Sequence, residues 1–97
     1  MAVMVLLECN AKPGTGDQLV ATFKAVLPDT RAREGFVEIK AFQNQDDKDN
    51  IVLVETWENK AAYEAYLGWR KENGSLDKLV EALTGPPSIR YFDITDA

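Results

Sequence analysis

Trp57, Tyr63, Tyr66 and Trp69 follow one another closely in the second half of the chain, with Leu67 and Arg70 interleaved. Tyr63 and Tyr66 stand one helical turn apart, and Leu67 and Arg70 fall on or near the same helical face. Together with Phe23 and Phe92, these aromatics could line a space between a helical layer and a sheet and hold a flat apolar ring there. The same spacing also describes ordinary core packing. Glu8, Asn10, Glu55 and Arg90 are polar groups on otherwise apolar runs. Buried polar groups need partners or a ligand, so these four pair among themselves, face water at strand ends, or point at a bound molecule.

Other chemistries are excluded by what is missing. Histidine is absent, which removes the commonest general base, the commonest transition-metal ligand and the usual axial ligand of a haem. Cys9 is the single cysteine, so one chain forms no disulfide, thiolate zinc site or iron–sulfur cluster. It sits inside an apolar run and reads as a small buried hydrophobe. Sixteen acidic side chains against eleven basic ones give a net charge of −5, which repels a phosphate backbone and argues against nucleic-acid binding. Gly14-Thr15-Gly16 lacks the third glycine of a dinucleotide fingerprint, since Leu19 stands there, and reads as a loop. Asp46-Asp47-Lys48-Asp49 lacks calcium-loop spacing and reads as a solvated hairpin turn. Asn73-Gly74-Ser75 reads as a turn and helix cap. No apolar run approaches the roughly 18 residues of a membrane span. The stretch Ala2 to Leu7 is too short, and has no basic leader, for a secretory signal, so a reducing cytoplasm is the expected location.

The elements that must position these residues follow from hydrophobic periodicity. Residues 2–10 read as a strand with Val3, Val5, Leu7 and Cys9 on one face. Leu19, Val20, Phe23, Val26 and Leu27 form a helical stripe capped by Thr15 or Asp17, with a kink or restart at Pro28 and a stop at Gly35. Residues 36–43 alternate, with Val37, Ile39 and Ala41 on one side and Phe36, Glu38, Lys40 and Phe42 on the other. Residues 51–57 form the next strand, and Asn59 caps the helix that carries the tyrosines. After the break at Asn73-Gly74, Ser75 caps a further helix with Leu76, Leu79, Val80 and Leu83 as its stripe. Gly85-Pro86-Pro87 ends it, and residues 88–94 form the last strand.

That order is βαββαβ, a ferredoxin-like α+β fold whose right-handed crossovers put the helices on one face of a four-stranded antiparallel sheet. The uncovered face should be polar in a monomer. Instead the strands are apolar on both sides, leaving an open face rich in Val, Leu and Trp. A second copy packed sheet against sheet is the economical cover, so a homodimer is expected.

Glu55-Thr56-Trp57-Glu58-Asn59, running from strand into an aromatic helix, and Gly35-Phe36 at the start of the second strand complete a pattern. The chain resembles the antibiotic biosynthesis monooxygenase domain of the dimeric α+β barrel superfamily, over nearly its whole length, so residues 1–97 read as one such domain. The resemblance implies a small dimeric oxygenase without flavin, metal or other cofactor. It would oxidise an electron-rich phenol, quinol or anthrone with O2. A deprotonated phenol passes an electron to oxygen, and the caged radical pair recombines, so the protein supplies a pocket, orientation and oxyanion stabilisation.

Carried over by residue, the family's pocket tryptophan is matched by Trp57 and its pocket tyrosine by Tyr63. Where anthrone oxygenases carry an asparagine, four positions before Trp57, this chain has Leu53. Asn10 resembles the asparagine of the related haem-degrading branch, whose histidine ligand is missing here. The resemblance therefore implies Trp57, Asn10 and Arg90 as catalytic candidates, Asn10 and Arg90 as oxyanion stabilisers. Tyr63, Tyr66, Trp69, Arg70, Phe23 and Glu55 are the substrate-binding candidates. Two rival readings remain open: a non-catalytic ligand-binding or stress-associated dimeric barrel with the same pocket, and a silent interaction subunit without one.

Overall fold

Val3, Val5, Leu7 and Cys9 alternate with Met4, Leu6, Glu8 and Asn10, and only the first set is buried. They form β1, Val3–Asn10, in a computed structural model that describes residues 1–97. In chain order follow α1 (Gly16–Arg31), β2 (Phe36–Gln43), β3 (Asn50–Trp57), α2 (Lys60–Glu72), α3 (Ser75–Glu81) and β4 (Ser88–Asp93). The strands make one four-stranded antiparallel sheet in the order β2-β3-β1-β4. This is the ferredoxin-like α+β architecture expected from the element order. No helix is long and apolar enough to cross a membrane.

Strand pairing assigns each side chain a face, because directly opposed residues point the same way. Val5 opposes Glu55, Leu7 opposes Leu53 and Cys9 opposes Ile51 across β1 and β3, while Tyr91 and Ile89 of β4 oppose Val5 and Leu7. Leu19, Phe23 and Leu27 of α1 and Tyr63 of α2 pack onto this face and complete the core. The other face carries Met4, Leu6, Val52 and Val54, half-buried, with Phe42 and Phe92 exposed. Two expectations are thereby corrected. Trp57 opposes Val3 and belongs to the covered face, so the open face has no tryptophan. Phe92 opposes Met4 and lies on the open face, away from the helices.

The second strand departs from simple alternation. A bulge between Phe36 and Glu38 inserts one residue. It turns Phe36 onto the covered face, edge-on to Trp57 with ring centroids 5.5 Å apart, and leaves Val37 52% exposed. Alternation alone assigned both residues the opposite way.

Helix starts are fixed by carboxylates and amides, not always the expected ones. Thr15 precedes α1 but its hydroxyl donates to the Lys12 carbonyl, and Asp17 accepts from the Gln43 amide. The start is capped instead by Asp49 from the β2–β3 hairpin, which accepts from the Gly14 and Gly16 amides at 3.0 and 2.9 Å. Asp49 is thus more than a solvated turn residue. Gly16 permits the approach, since a Cβ there would collide with the Lys48 carbonyl oxygen. Asn59 caps α2 as expected, accepting from the Ala62 amide at 2.8 Å. At α3 the acceptor is Asn73, for both the amide and hydroxyl of Ser75, so Ser75 is the first helical residue and not the cap. α1 passes through Pro28 without a break and ends one turn later.

Replacing Asp49 by Ala should cost about 1–2 kcal/mol of stability by loss of the cap, against a few tenths for Thr15→Ala. Gly16→Ala should cost about 1–3 kcal/mol through the collision with the hairpin. Urea midpoints of the three variants check this ranking.

Candidate active site

Glu55 and Trp57 stand two positions apart on β3, so both side chains fall on the covered face. The indole Nε1 of Trp57 donates to Glu55 Oε1 at 3.0 Å. Both residues are essentially inaccessible, at 0% exposure for Trp57 and 1% for Glu55. The indole is fixed by Tyr63 and Tyr66, whose ring centroids lie 5.7 and 5.0 Å away, in addition to Phe36. Each such pair contributes roughly 0.5–1.5 kcal/mol beyond burial, enough to aim the N–H at the carboxyl.

α2 brings the other polar groups. Tyr63, Tyr66 and Arg70 recur at helical spacing on its inner face. Arg70, only 8% exposed, donates from Nε to the Tyr66 hydroxyl at 3.1 Å and from Nη2 to the Val26 carbonyl and Thr30 hydroxyl, each at 3.0 Å. Its Nη1 reaches Ser75 Oγ at 3.4 Å. No carboxylate pairs with it. The chain's one ion pair, Arg90 to Glu8 at 3.8 Å, is on the open face. A buried guanidinium that is hydrogen-bonded but lacks a counter-charge leaves a positive field around it.

Between these helices and the sheet lies a cavity of ≈ 250 Å³. Leu7 and Leu53 form its floor, Leu19, Phe23 and Leu27 one wall, and Leu67, Leu76 and Leu79 the other. Glu55, Tyr63, Tyr66 and Arg70 supply polar groups among these apolar side chains, with Thr22, Ser75 and Lys78 on the α1 and α3 sides. Burial pushes the Glu55 carboxyl up from 4.5 to about 7, and the Trp57 indole N–H pulls it partway back. Burial likewise pushes the Tyr63 phenol well above its ordinary range, with the Glu55 charge adding to the effect. The Tyr63 hydroxyl is buried without a hydrogen-bond partner. Cys9 is fully buried, and burial followed by the Glu8 and Glu55 charges pushes its thiol up to about 12, so it is no nucleophile.

Of the residues singled out in the sequence, Phe23, Glu55, Tyr63, Tyr66 and Arg70 line this cavity. Trp57 lies behind Glu55 and touches the site through its indole N–H. Trp69 does not line the cavity; the guanidinium groups of Arg33 and Arg70 lie over its ring, 4.4 and 4.8 Å from the centroid. Asn10 and Arg90 are on the opposite face of the sheet, which corrects their candidacy as oxyanion donors to this space. Asn10 accepts from the Asn50 amide, Asn50 also reaches Glu8, and Glu8 meets Arg90, so these groups satisfy one another. The sequence reading missed the groups that hold Arg70: the Val26 carbonyl, Thr30 and Ser75. Thr30 carries the only available signal, a fully buried polar residue near the end of the apolar stripe of α1.

The sequence profile described as antibiotic biosynthesis monooxygenase matches residues 2–70. No curated protein matches by sequence. Among solved structures, a conserved protein from Methanosarcina mazei Go1 is similar with a TM-score of 0.85 at 16% identity, covering 98% of this chain and 94% of that one. A mutant of SnoaB, a cofactor-independent oxygenase from Streptomyces nogalater, is similar with a TM-score of 0.83 at 14% identity, covering 99% and 95%. A monooxygenase from the ActVA-Orf6 gene of Streptomyces coelicolor, in complex with Nanaomycin D, reaches 0.82 at 20% identity, covering 99% and 89%. At these identities the likeness is one of fold.

The buried carboxyl has a thermodynamic signature. Folded Glu55 keeps its proton to about pH 7, while the unfolded chain releases it near 4.5. The native state therefore loses stability as pH rises between those values, by about 3 kcal/mol in all, and stays lower above pH 7. In Glu55→Gln this loss should vanish, so the variant gains on wild type between pH 5 and pH 8 in urea denaturation.

Proposed function

Because the chain belongs to the antibiotic biosynthesis monooxygenase family, we propose that it is a cofactor-independent monooxygenase acting on a small aromatic phenol, quinol or anthrone with O2. The observation that carries this reading is the cavity. It is apolar enough to take a flat ring and has a carboxyl, two phenols and a guanidinium on its walls. A pocket of this kind, mostly apolar with a few convergent polar groups, is what small-ligand sites require. The likeness to a cofactor-independent oxygenase supports the same assignment.

For a quinol the overall change balances as substrate plus O2 giving hydroxyquinone plus water, and for an anthrone as substrate plus O2 giving anthraquinone plus water. Loss of the ring proton makes the substrate electron-rich. One electron passes to oxygen, the radical pair combines at carbon, and water leaves. The chain's tasks are to orient the ring between Phe23 and the tyrosines, exclude solvent, and stabilise negative charge on the ring oxygen through the Arg70 field and the Tyr63 hydroxyl. Trp57 acts from behind by holding Glu55. Leu53 faces the cavity where the resemblance would put an asparagine, so the polar work passes to Glu55, Tyr63 and Arg70.

An oxygen electrode with reduced naphthoquinols and anthrones tests the reading. Uptake above the uncatalysed rate is expected, and Leu76→Trp, which fills the cavity from α3, should lower it at least tenfold with the far-ultraviolet dichroism unchanged. Binding without uptake across the panel would make the protein a ligand-binding barrel instead.

The same reading includes a homodimer that covers Met4, Leu6, Val52, Val54, Phe42 and Phe92 of the open sheet face. Light scattering at micromolar concentration should give twice the 10.8 kDa chain mass. Phe42→Glu should halve it.

A further inference from the structure

Glu55 is the one carboxyl on the cavity wall. Its Oε1 accepts from Trp57 at 3.0 Å, while its Oε2 has no hydrogen-bond partner in the protein. Tyr63, which lines the same cavity, has a buried hydroxyl that is also without one. A single ring hydroxyl entering the cavity would meet both needs, donating its hydrogen to Oε2 and accepting from Tyr63. We propose that Glu55 is the proton acceptor for the substrate's ring hydroxyl, with Trp57 as the positioning residue that orients its carboxylate.

This inference rests on the reading that a hydroxyarene binds in the cavity. In the step, the ring O–H bond breaks and an H–Oε2 bond forms. The electron pair stays on the ring oxygen, and negative charge moves from Glu55 to the substrate. The net charge of the cavity does not change, so the fixed cation Arg70 stabilises the ring oxyanion without rearrangement. A carboxyl held near pH 7 is suited to this task, since a base works best when its own ionisation lies near the working pH.

The surroundings of Glu55 leave it as the group that titrates near neutrality. β1 presents Cys9 and α2 presents Tyr63, both kept protonated by burial well above neutral pH. β4 brings Tyr91, whose phenol is also raised, against Tyr63. β2 opposes Glu55 with Ile39, and α1 contributes apolar side chains and Thr22. α2 adds Tyr66 and the cation Arg70, and α3 adds Ser75 and the cation Lys78.

The test uses the full chain and two readouts. The first is the absorbance of a bound nitrophenol, a probe that reports its own ionisation and is not oxidised. Wild type should bind it, and Leu76→Trp should not. The bound dye should ionise at higher pH in wild type than in Glu55→Gln, which keeps an acceptor for Trp57, because the Glu55 carboxylate beside the dye opposes a second negative charge as it does at Tyr63. The second readout is the pH profile of oxygen uptake with a quinol. Wild type should show a rising limb near pH 7 that is lost in Glu55→Gln, with kcat lowered at least a hundredfold and KM within about threefold. Trp57→Phe keeps the carboxyl but removes its donor, so the limb should move to higher pH, and this variant decides the matter if Glu55→Gln does not fold. Equal dye ionisation in wild type and Glu55→Gln, or an unmoved limb in Trp57→Phe, overturns the assignment of Glu55 while leaving the cavity reading intact. Failure of wild type to bind the dye overturns both.

Discussion

The guanidinium of Arg70 bonds α1 at the Val26 carbonyl and Thr30 hydroxyl, its own helix at the Tyr66 hydroxyl, and α3 at Ser75. Three helices that share a small contact area are thus tied at one point, and the tie is a polar strut between otherwise apolar surfaces. A leucine in its place would let α1 and α2 settle toward the sheet and one another. A long, planar cation with several fixed donors keeps them apart. The cavity below Arg70 depends on that separation. The same group that props the helices also sets the sign of the potential inside.

A cavity held open by a cation would bind anions poorly if a buried carboxylate stood beside it in full charge. Here the carboxyl is close to its midpoint at neutral pH. The site can therefore carry either one negative charge or none at little cost, which is the property a proton-exchanging pocket needs. The indole hydrogen bond from Trp57 tunes that balance from outside the cavity. The aromatic packing around the indole is then part of the electrostatics as well as of the core.

Much of this was legible from local pattern. Alternation along residues 51–57 puts Glu55 and Trp57 on one face, and turn-by-turn spacing does the same for Tyr63, Tyr66 and Arg70. These residues meet in the structure because each pattern is set within one element. What was not legible depends on pairing between distant segments. The register that pairs Leu6 with Arg90 and Asn10 with Asn50 sends those polar groups to the far side of the sheet, and no local signal encodes it. The bulge after Phe36 reverses two residues, and the Gly35 that precedes it serves equally well as a helix stop, so it does not mark a bulge. The Asp49 cap joins residues 33 apart in sequence, so a rule that looks for caps next to the helix finds Thr15 instead.

The place of β1 in the sheet has a further consequence, for the order in which the molecule is made. The first of the four strands to be made is a central one, paired with β3 on one side and β4 on the other. Val3 meets Trp57 on the first side and Asp93 on the second, so neither edge is satisfied until the later strands have been synthesised. An apolar strand must wait, unpaired, while the helices and later strands are made. The ladder between β1 and β4 is then the last to close, as a slow, long-range event that joins strands about 85 residues apart.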